Sequence, residues 1–475
     1  MPKVGMVSLG CPKNLVDSEV LLGILARQGY ELTPRPDEAD IIIVNTCSFI
    51  APAKQESIDT ILEMAAYKKS GATRKLVVAG CLVERYRQEI LTEIPEVDFV
   101  IGTNELERVL EACGDSGDRR SAGEPAEPYL YHEFTPRLLS TPSYSAYLKI
   151  AEGCDHPCSF CVIPQMRGRF RSRRFASVIR EAENLAQQGV REITIVGQDT
   201  TSYGEDLGLR DGLAVLLREL GKIPELVWVR FLYCYPNRLT EALIAAVAET
   251  PKVAKYFDIP LQHASGPVLR RMRRGSNGPQ FLRMIEKIRA AMPGVALRTS
   301  FITGFPGETE DDFKALVDFI AAAEFDHLGV FLYSNEEGSG SFALPNLVPP
   351  QVTRRRQKQL MALQRKISQR KLRRMVGETL PVLVEGRSEE TELLYQARSE
   401  RQAPGIDGSV LINDFEGPAP QAGDFRWATV TEAGEYDLVA RLEARFFAER
   451  PTLRTPLPAG SSLVQIQPAV AAPSN

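Results

Sequence analysis

From residue 147 to 334 the chain sets an apolar, strand-like run before a stretch of helical period again and again, the strand runs being YLKIAEG, EITIVGQ, VWVRFLY, YFDIPLQ, ALRTSFITG and HLGVFLYS. The intervening helices are predicted over 177–189, 211–220, 239–249, 279–291 and 309–323. Strands joined by such long crossovers run parallel, and the absence of hairpin signals predicts an α/β fold with an open or partial (βα)6 barrel over 143–350. The same alternation recurs over residues 1–114, where KVGMVSLG, ADIIIVNT, KLVVAGC and VDFVIGT frame helices predicted over 17–28, 53–69 and 84–92. A smaller parallel α/β domain is expected there.

Residues 115–142 are rich in Gly, Ser, Pro and charge, which reads as a linker. Residues 351–376 hold ten Lys or Arg and no acid and form a basic connecting helix, with Leu360, Leu363 and Ile367 at helical spacing for packing on the barrel. From 377 to 445 the runs TLPVLVEG, GSVLIND and RWATV lie between Gly and Pro turns, as in a small all-β barrel. A disordered tail is expected over 446–475.

A net charge of -4, with 44% hydrophobic and 25% charged residues, gives no global sign of polyanion binding, so any charge argument is local. No run of about 18 apolar residues and no leader-type h-region occur, so neither a membrane span nor a signal peptide is expected, and the cytoplasm is. Eight cysteines in that compartment are thiols, and clustered ones are metal ligands or catalytic groups.

Two clusters stand out. Cys154, Cys158 and Cys161 share one loop, GCDHPCSFCVIP, directly after the first barrel strand, where catalytic loops of such barrels sit. A structural zinc site takes four ligands, and only His156 lies nearby as a fourth, so the trio fits better an iron-sulfur cluster with one iron left open. Cys11, Cys47 and Cys81 each follow a predicted strand, which brings them to the crevice beyond the strand ends of a parallel sheet. Cys113, in the linker, and Cys234 have no such partners and read as structural.

The CxxxCxxC loop, with Phe160 before its last cysteine, resembles the radical S-adenosylmethionine (SAM) superfamily. With the second triplet and the C-terminal β-barrel, the resemblance covers nearly the whole chain and narrows to the methylthiotransferases, whose last domain is of TRAM type. It implies two 4Fe-4S clusters, an auxiliary one on Cys11, Cys47 and Cys81 and a radical-generating one on Cys154, Cys158 and Cys161. One SAM would serve as methyl donor and a second as radical source. By the same resemblance Phe160 lies near adenine, Gln198 near the amino acid moiety of SAM, and Ile302, Gly304 and Gly307 of FITGFPGE along the nucleoside. No protein acid or base is assigned, since the clusters and SAM carry the chemistry. A small electron donor such as flavodoxin or ferredoxin, and a sulfur donor, are implied as partners.

Branches of that family modify either transfer RNA adenosine or the β-carbon of an aspartate in ribosomal protein S12. The motifs KVGMVSLGCPKNLVDSE, EGCDHPCSFCVIPQMRG, GQDTTSYG, LYCYP and IPLQHAS resemble the ribosomal-protein branch. Charge agrees: residues 377–443 hold fourteen acids against five Arg and no Lys, a formal −9 that repels phosphate and suits a basic protein. Candidate docking acids are Glu389, Glu390, Glu392 and Asp407. Pulling toward RNA, including ribosomal RNA, are the basic helix and the run MRGRFRSRR at 166–174, whose arginines alternatively meet substrate or the SAM carboxylate. The alternatives are a transfer RNA methylthiotransferase and, from another class, a non-enzymatic iron-sulfur electron carrier or redox sensor.

Overall fold

A computed structural model describes residues 2–71, 73–114 and 129–448. The first part is a five-stranded, all-parallel sheet of β1 (Lys3–Ser8), β2 (Glu31–Leu32), β3 (Ile41–Thr46), β4 (Lys75–Gly80) and β5 (Phe99–Ile101), in the order β2-β1-β3-β4-β5. Helices α1 (Pro12–Arg27), α2 (Ala51–Lys69), α3 (Cys81–Glu93) and α4 (Val109–Cys113) connect and flank it. The central strand β3 is buried along its whole length, as a β-branched run covered on both faces must be. Helix α1 starts earlier than predicted because Pro12 opens it, its missing N–H costing nothing at that position. Cys113 ends α4 inside the core, not in a linker as its sequence neighbourhood implied.

The second part carries β6 (Ser145–Lys149), β7 (Ala151–Glu152), α5 (Ile163–Arg167), β8 (Arg171–Ser172), α6 (Phe175–Gln187), β9 (Glu192–Val196), α7 (Gly212–Leu220), β10 (Trp228–Phe231), α8 (Glu241–Glu249), β11 (Tyr256–Asp258), α9 (Gly266–Arg271), α10 (Gly278–Ala291), β12 (Ala296–Thr303), α11 (Glu310–Ala323) and β13 (His327–Leu332). The barrel strands form two three-stranded parallel sheets, β6-β9-β10 and β11-β12-β13. Across their join no ladder forms among the described residues, since the three-residue β11 gives its ladder to β12; the isolated bridge Val229–Val253 and the bond from Cys234 N–H to the Asp258 carbonyl, at 2.9 Å, link the two sheets there. Outward residues such as Ile193, Phe231, Phe257 and Phe301 pack on the helices in the largest core cluster.

Helix α12 (Pro350–Arg373) lies on the barrel through Leu360 and Ile367, with Leu363 partly buried, as its spacing predicted. Strands β14 (Thr379–Arg387), β15 (Tyr395–Ser399), β16 (Val410–Phe415), β17 (Phe425–Ala433) and β18 (Leu438–Phe446) then close into a barrel, β14-β15-β16-β18-β17. The linker expected over 115–142 lies outside the described residues up to 128, as does the expected tail from 449 onward.

The β15–β16 connection plugs the floor of the parallel barrel, at the N-terminal ends of its strands. Arg230, buried inside, donates to the carbonyl of Glu400. Tyr256 Oη donates to Asp407 Oδ2 at 2.7 Å, and Arg298 Nε lies 3.3 Å from Asp407 Oδ1. Arg398 of β15 clamps Glu192 of β9 with both guanidinium nitrogens, both side chains being buried. Asp407, a sequence candidate for docking a partner, is therefore turned inward, with its side chain 3% exposed. Glu389, Glu390 and Glu392 are exposed.

Candidate active site at the domain seam

The opposite, C-terminal end of the barrel faces the N-terminal domain. Cys11 caps the N-terminus of α1, Cys47 follows β3, and Cys81 opens α3. Gly10 has φ +89°, and a Cβ on it would lie 2.8 Å from Cys47 Cβ, so only glycine lets the Cys11 and Cys47 loops come together. Cys47 is pinned by Ser57: its N–H donates to Ser57 Oγ at 3.0 Å, and the hydroxyl returns a bond to its carbonyl at 2.8 Å. Burial pushes the Cys47 thiol up to about 12, helped by its neighbours Cys81 and Cys11, so the three sulfurs feel one another. Burial opposes ionisation of Cys11 as well, but Lys13, Arg167 and the N–H groups of Asn14 and Lys13 outweigh it and hold that thiol below its ordinary value.

The loop after β7 carries Cys154, Cys158 and Cys161. Gly153, at φ +79°, has no room for a Cβ, which would sit 2.0 Å from the carbonyl oxygen of Arg169. Cys154 N–H donates to the Gly168 carbonyl and Cys161 N–H to that of Cys158, folding the loop on itself. Arg274 donates to Cys158 Sγ at 3.4 Å. Burial, then adjacent Cys158, pushes Cys161 up to about 12. Among the described residues no three His, Cys, Asp or Glu side chains close to the spacing of a single metal ion. In donor type and number, each set of three thiols fits a four-iron cluster held by three thiolates with one iron left open.

The segment Leu232-Tyr233-Cys234-Tyr235-Pro236 passes between the two triplets. Tyr233, at φ +64°, lies under Lys13, whose ammonium is 3.3 Å from the ring centroid and adjoins Cys11. Tyr235 faces the other way, toward Cys158 and Cys154, with the Arg274 guanidinium 4.5 Å from its centroid. Cys234, between them, is buried in the barrel core.

Gln198 stands at the end of β9. Its amide donates to Glu152 Oε1 at 2.6 Å, while its carbonyl oxygen is buried without a partner, an acceptor available to an ammonium or hydroxyl ligand. Phe160 packs partly buried against the barrel core, and Ile302 is buried in it. A Cβ on Gly304, at φ +81°, would meet Thr353 Oγ1 of α12 at 2.3 Å, so this glycine is required by helix packing whatever binds beside it. Gly307, at φ +75°, accepts from Arg271 at 3.0 Å.

Lys13, Tyr233, Tyr235 and Arg274 were not singled out as site residues in the sequence, and Arg167 only as one arginine of the run at 166–174. The LYCYP motif and the glycine-flanked Arg167 were the available signals. Within the MRGRFRSRR run, Arg167 and Arg173 are buried, 3% and 1% exposed, in ion pairs with Asp17 and Glu181, whereas Arg169 and Arg174 are exposed.

This architecture, with a cysteine loop crowning a partial parallel barrel, defines a radical SAM protein: residues 148–320 match the Radical SAM superfamily, residues 3–102 the Uncharacterized protein family UPF0004, and residues 376–442 the TRAM domain. The radical SAM methyltransferase TsrM of Kitasatospora setae shares the fold at a TM-score of 0.50 and 17% identity, over 70% of this chain and 73% of that one. The ribosomal protein uS12 methylthiotransferase RimO of Solibacter usitatus is 59% identical, covering 99% of this chain and 100% of that protein, and that of Koribacter versatilis is 54% identical over 93% and 96%. The chain belongs to the family of ribosomal protein uS12 methylthiotransferases.

Proposed function

We propose that this protein adds a methylthio group to the β-carbon of an aspartate of ribosomal protein uS12, with Cys154, Cys158 and Cys161 holding the radical-generating cluster and Cys11, Cys47 and Cys81 the auxiliary one. It is a radical SAM methylthiotransferase, and its cofactors are 4Fe-4S clusters and SAM. The observation that carries the site assignment is that two separate cysteine triplets open toward one seam, on either side of Tyr233 and Tyr235. When bound, the clusters and SAM supply the one-electron chemistry that an unactivated C–H bond requires and that side-chain acids and bases lack.

The chain's own residues bind and orient. Gln198 offers its unpartnered carbonyl to the SAM ammonium, with Glu152 fixing the amide from behind. His156, hydrogen-bonded to Asp199 at 2.6 Å, stiffens the cysteine loop. Phe160, Ile302, Gly304 and Gly307 form the remaining SAM contacts in this reading. The three regions 1–114, 143–350 and 377–445 act as cluster domain, radical domain and substrate-docking domain, joined by residues 115–142 and the helix of 351–376. Exposed Glu389, Glu390 and Glu392 attract basic uS12. A flavodoxin- or ferredoxin-type donor and a sulfur donor complete the cycle. No helix among the described residues is long and apolar enough to cross a membrane, and a cytoplasmic setting beside the ribosome fits the substrate.

Mass spectrometry of ribosomal proteins and transfer RNA from cells with and without the gene tests this. Loss of a methylthio mass increment from uS12 alone is the expected result. Loss from transfer RNA, with uS12 unchanged, would overturn the substrate assignment.

A further inference from the structure

Arg167 is the last residue of α5, six positions beyond Cys161, yet its side chain leaves the barrel and enters the N-terminal domain. Its Nη1 donates to Asp17 Oδ2 at 2.6 Å and faces Glu152 at 3.3 Å; its Nη2 divides between Asn14 Oδ1 at 3.1 Å and Cys81 Sγ at 3.3 Å. Lys149 closes the group, bonded to Asp17 and, at 2.7 Å, to Glu152. Two cations thus balance two carboxylates in a volume sealed from water, with one guanidinium edge left for a cysteine sulfur.

We propose that Arg167 is a positioning residue that sets the electron affinity of the auxiliary cluster, through a charge-assisted N–H···S bond to Cys81 delivered from the radical SAM domain. This rests on the reading that Cys11, Cys47 and Cys81 hold that cluster. Reduction adds negative charge to a cluster, and both a hydrogen bond to its sulfur and a nearby cation stabilise the reduced form. A planar fork is needed because one guanidinium must satisfy Asp17, Glu152, Asn14 and the sulfur together, which a lysine ammonium does not reach. The ligands come from one domain and the donor from the other, so the auxiliary cluster reaches its working potential only when the two are docked.

The charge balance gives a test with two signs. In the full chain carrying Cys154→Ala, Cys158→Ala and Cys161→Ala, only the auxiliary cluster remains to be read by electron paramagnetic resonance. At a fixed solution potential, Arg167→Gln leaves an excess carboxylate and should lower the reduced-to-oxidised ratio about tenfold, equal to 59 mV for a one-electron couple. Asp17→Asn, nearly isosteric, leaves an excess cation and should raise the ratio. The double variant restores neutrality and should move back toward the parent.

A purely structural role would shift melting temperature without producing opposite redox signs. Should Arg167→Gln fail to fold, Asp17→Asn decides alone: an unchanged or lowered ratio overturns the proposal. If the parent triple variant retains about four irons and neither single substitution moves the ratio, the role of Arg167 fails while the cysteine assignment stands. If that parent binds no iron, both fall.

Discussion

The ring of Tyr235 lies flat on the imidazole of His156, their centroids 3.6 Å apart and their planes 6° from parallel. One residue belongs to the cysteine loop and the other to the strand end behind it, so the stack fastens the loop to the barrel, with Arg274 on its outer face. An aromatic pair contributes about 0.5–1.5 kcal/mol beyond area burial. Tyr235→Leu should lower the melting temperature by a few degrees, at roughly 2–4 °C per kcal/mol for a domain of this size. It should also speed iron loss from the loop to a chelator, whereas Tyr235→Phe should do neither. Equal chelation rates for Leu and Tyr would show that the stack does not hold the loop.

The two triplets should separate two half-reactions. Anaerobically reconstituted protein should carry about eight irons, as two four-iron clusters imply, and Cys154→Ala/Cys158→Ala/Cys161→Ala should halve that and abolish SAM cleavage. Cys11→Ala/Cys47→Ala/Cys81→Ala should still release 5′-deoxyadenosine with dithionite, but form no methylthiolated uS12. Normal product from that second variant would remove the sulfur-handling role of the N-terminal domain.

Acid should loosen the floor of the barrel. Burial alone would raise the Glu192 carboxyl, but Arg398, then Arg230 and the Ser145 hydroxyl, hold it below the usual carboxylate range. A depressed folded-state value means that the stabilisation is complete above the unfolded value of about 4.3 and is lost as pH falls through the folded one. Melting temperature should therefore drop steeply below about pH 4.3, and Glu192→Gln should flatten that limb. At neutral pH the same variant should lose about 3–5 kcal/mol, because it leaves buried Arg230 without its carboxylate and Arg398 with Glu385 alone. A melting profile with the same acid limb in both proteins would contradict this.

Charge reversal separates docking acids from structural ones. Glu389→Lys/Glu390→Lys/Glu392→Lys should raise the Kd for isolated uS12 about tenfold, roughly 1.4 kcal/mol, and the effect should shrink as salt screens the pairs. SAM cleavage without substrate should not change. Asp407→Asn should instead lower stability, since Tyr256 and Arg298 lean on that carboxylate. Calorimetry showing unaltered uS12 affinity in the triple reversal would exclude this surface.

Sequence carried the parallel architecture because β-branched runs and helical period are local signals, and it brought each triplet to strand ends or one loop because topology dictates those places. Contacts made across the seam left no such local trace. Arg167 reads as one charge in a basic run, and only folding turns it toward Cys81. Asp407 reads as one acid among fourteen in an acidic domain, yet it is the plug of the barrel floor. Gly304 reads as ligand-facing glycine, while its missing Cβ makes room for Thr353. In each case the sequence shows residue type and charge, and the partner that gives them meaning lies 49 or more positions away.

The C-terminal barrel closes β14 onto both β15 and β17, so each strand already has neighbours on both sides. A partner cannot be recruited there by adding its own strand, a sequence-tolerant way to capture an extended peptide. Recognition falls to side chains and turn loops, which makes the address of this enzyme rewritable by surface substitution without touching a backbone pairing.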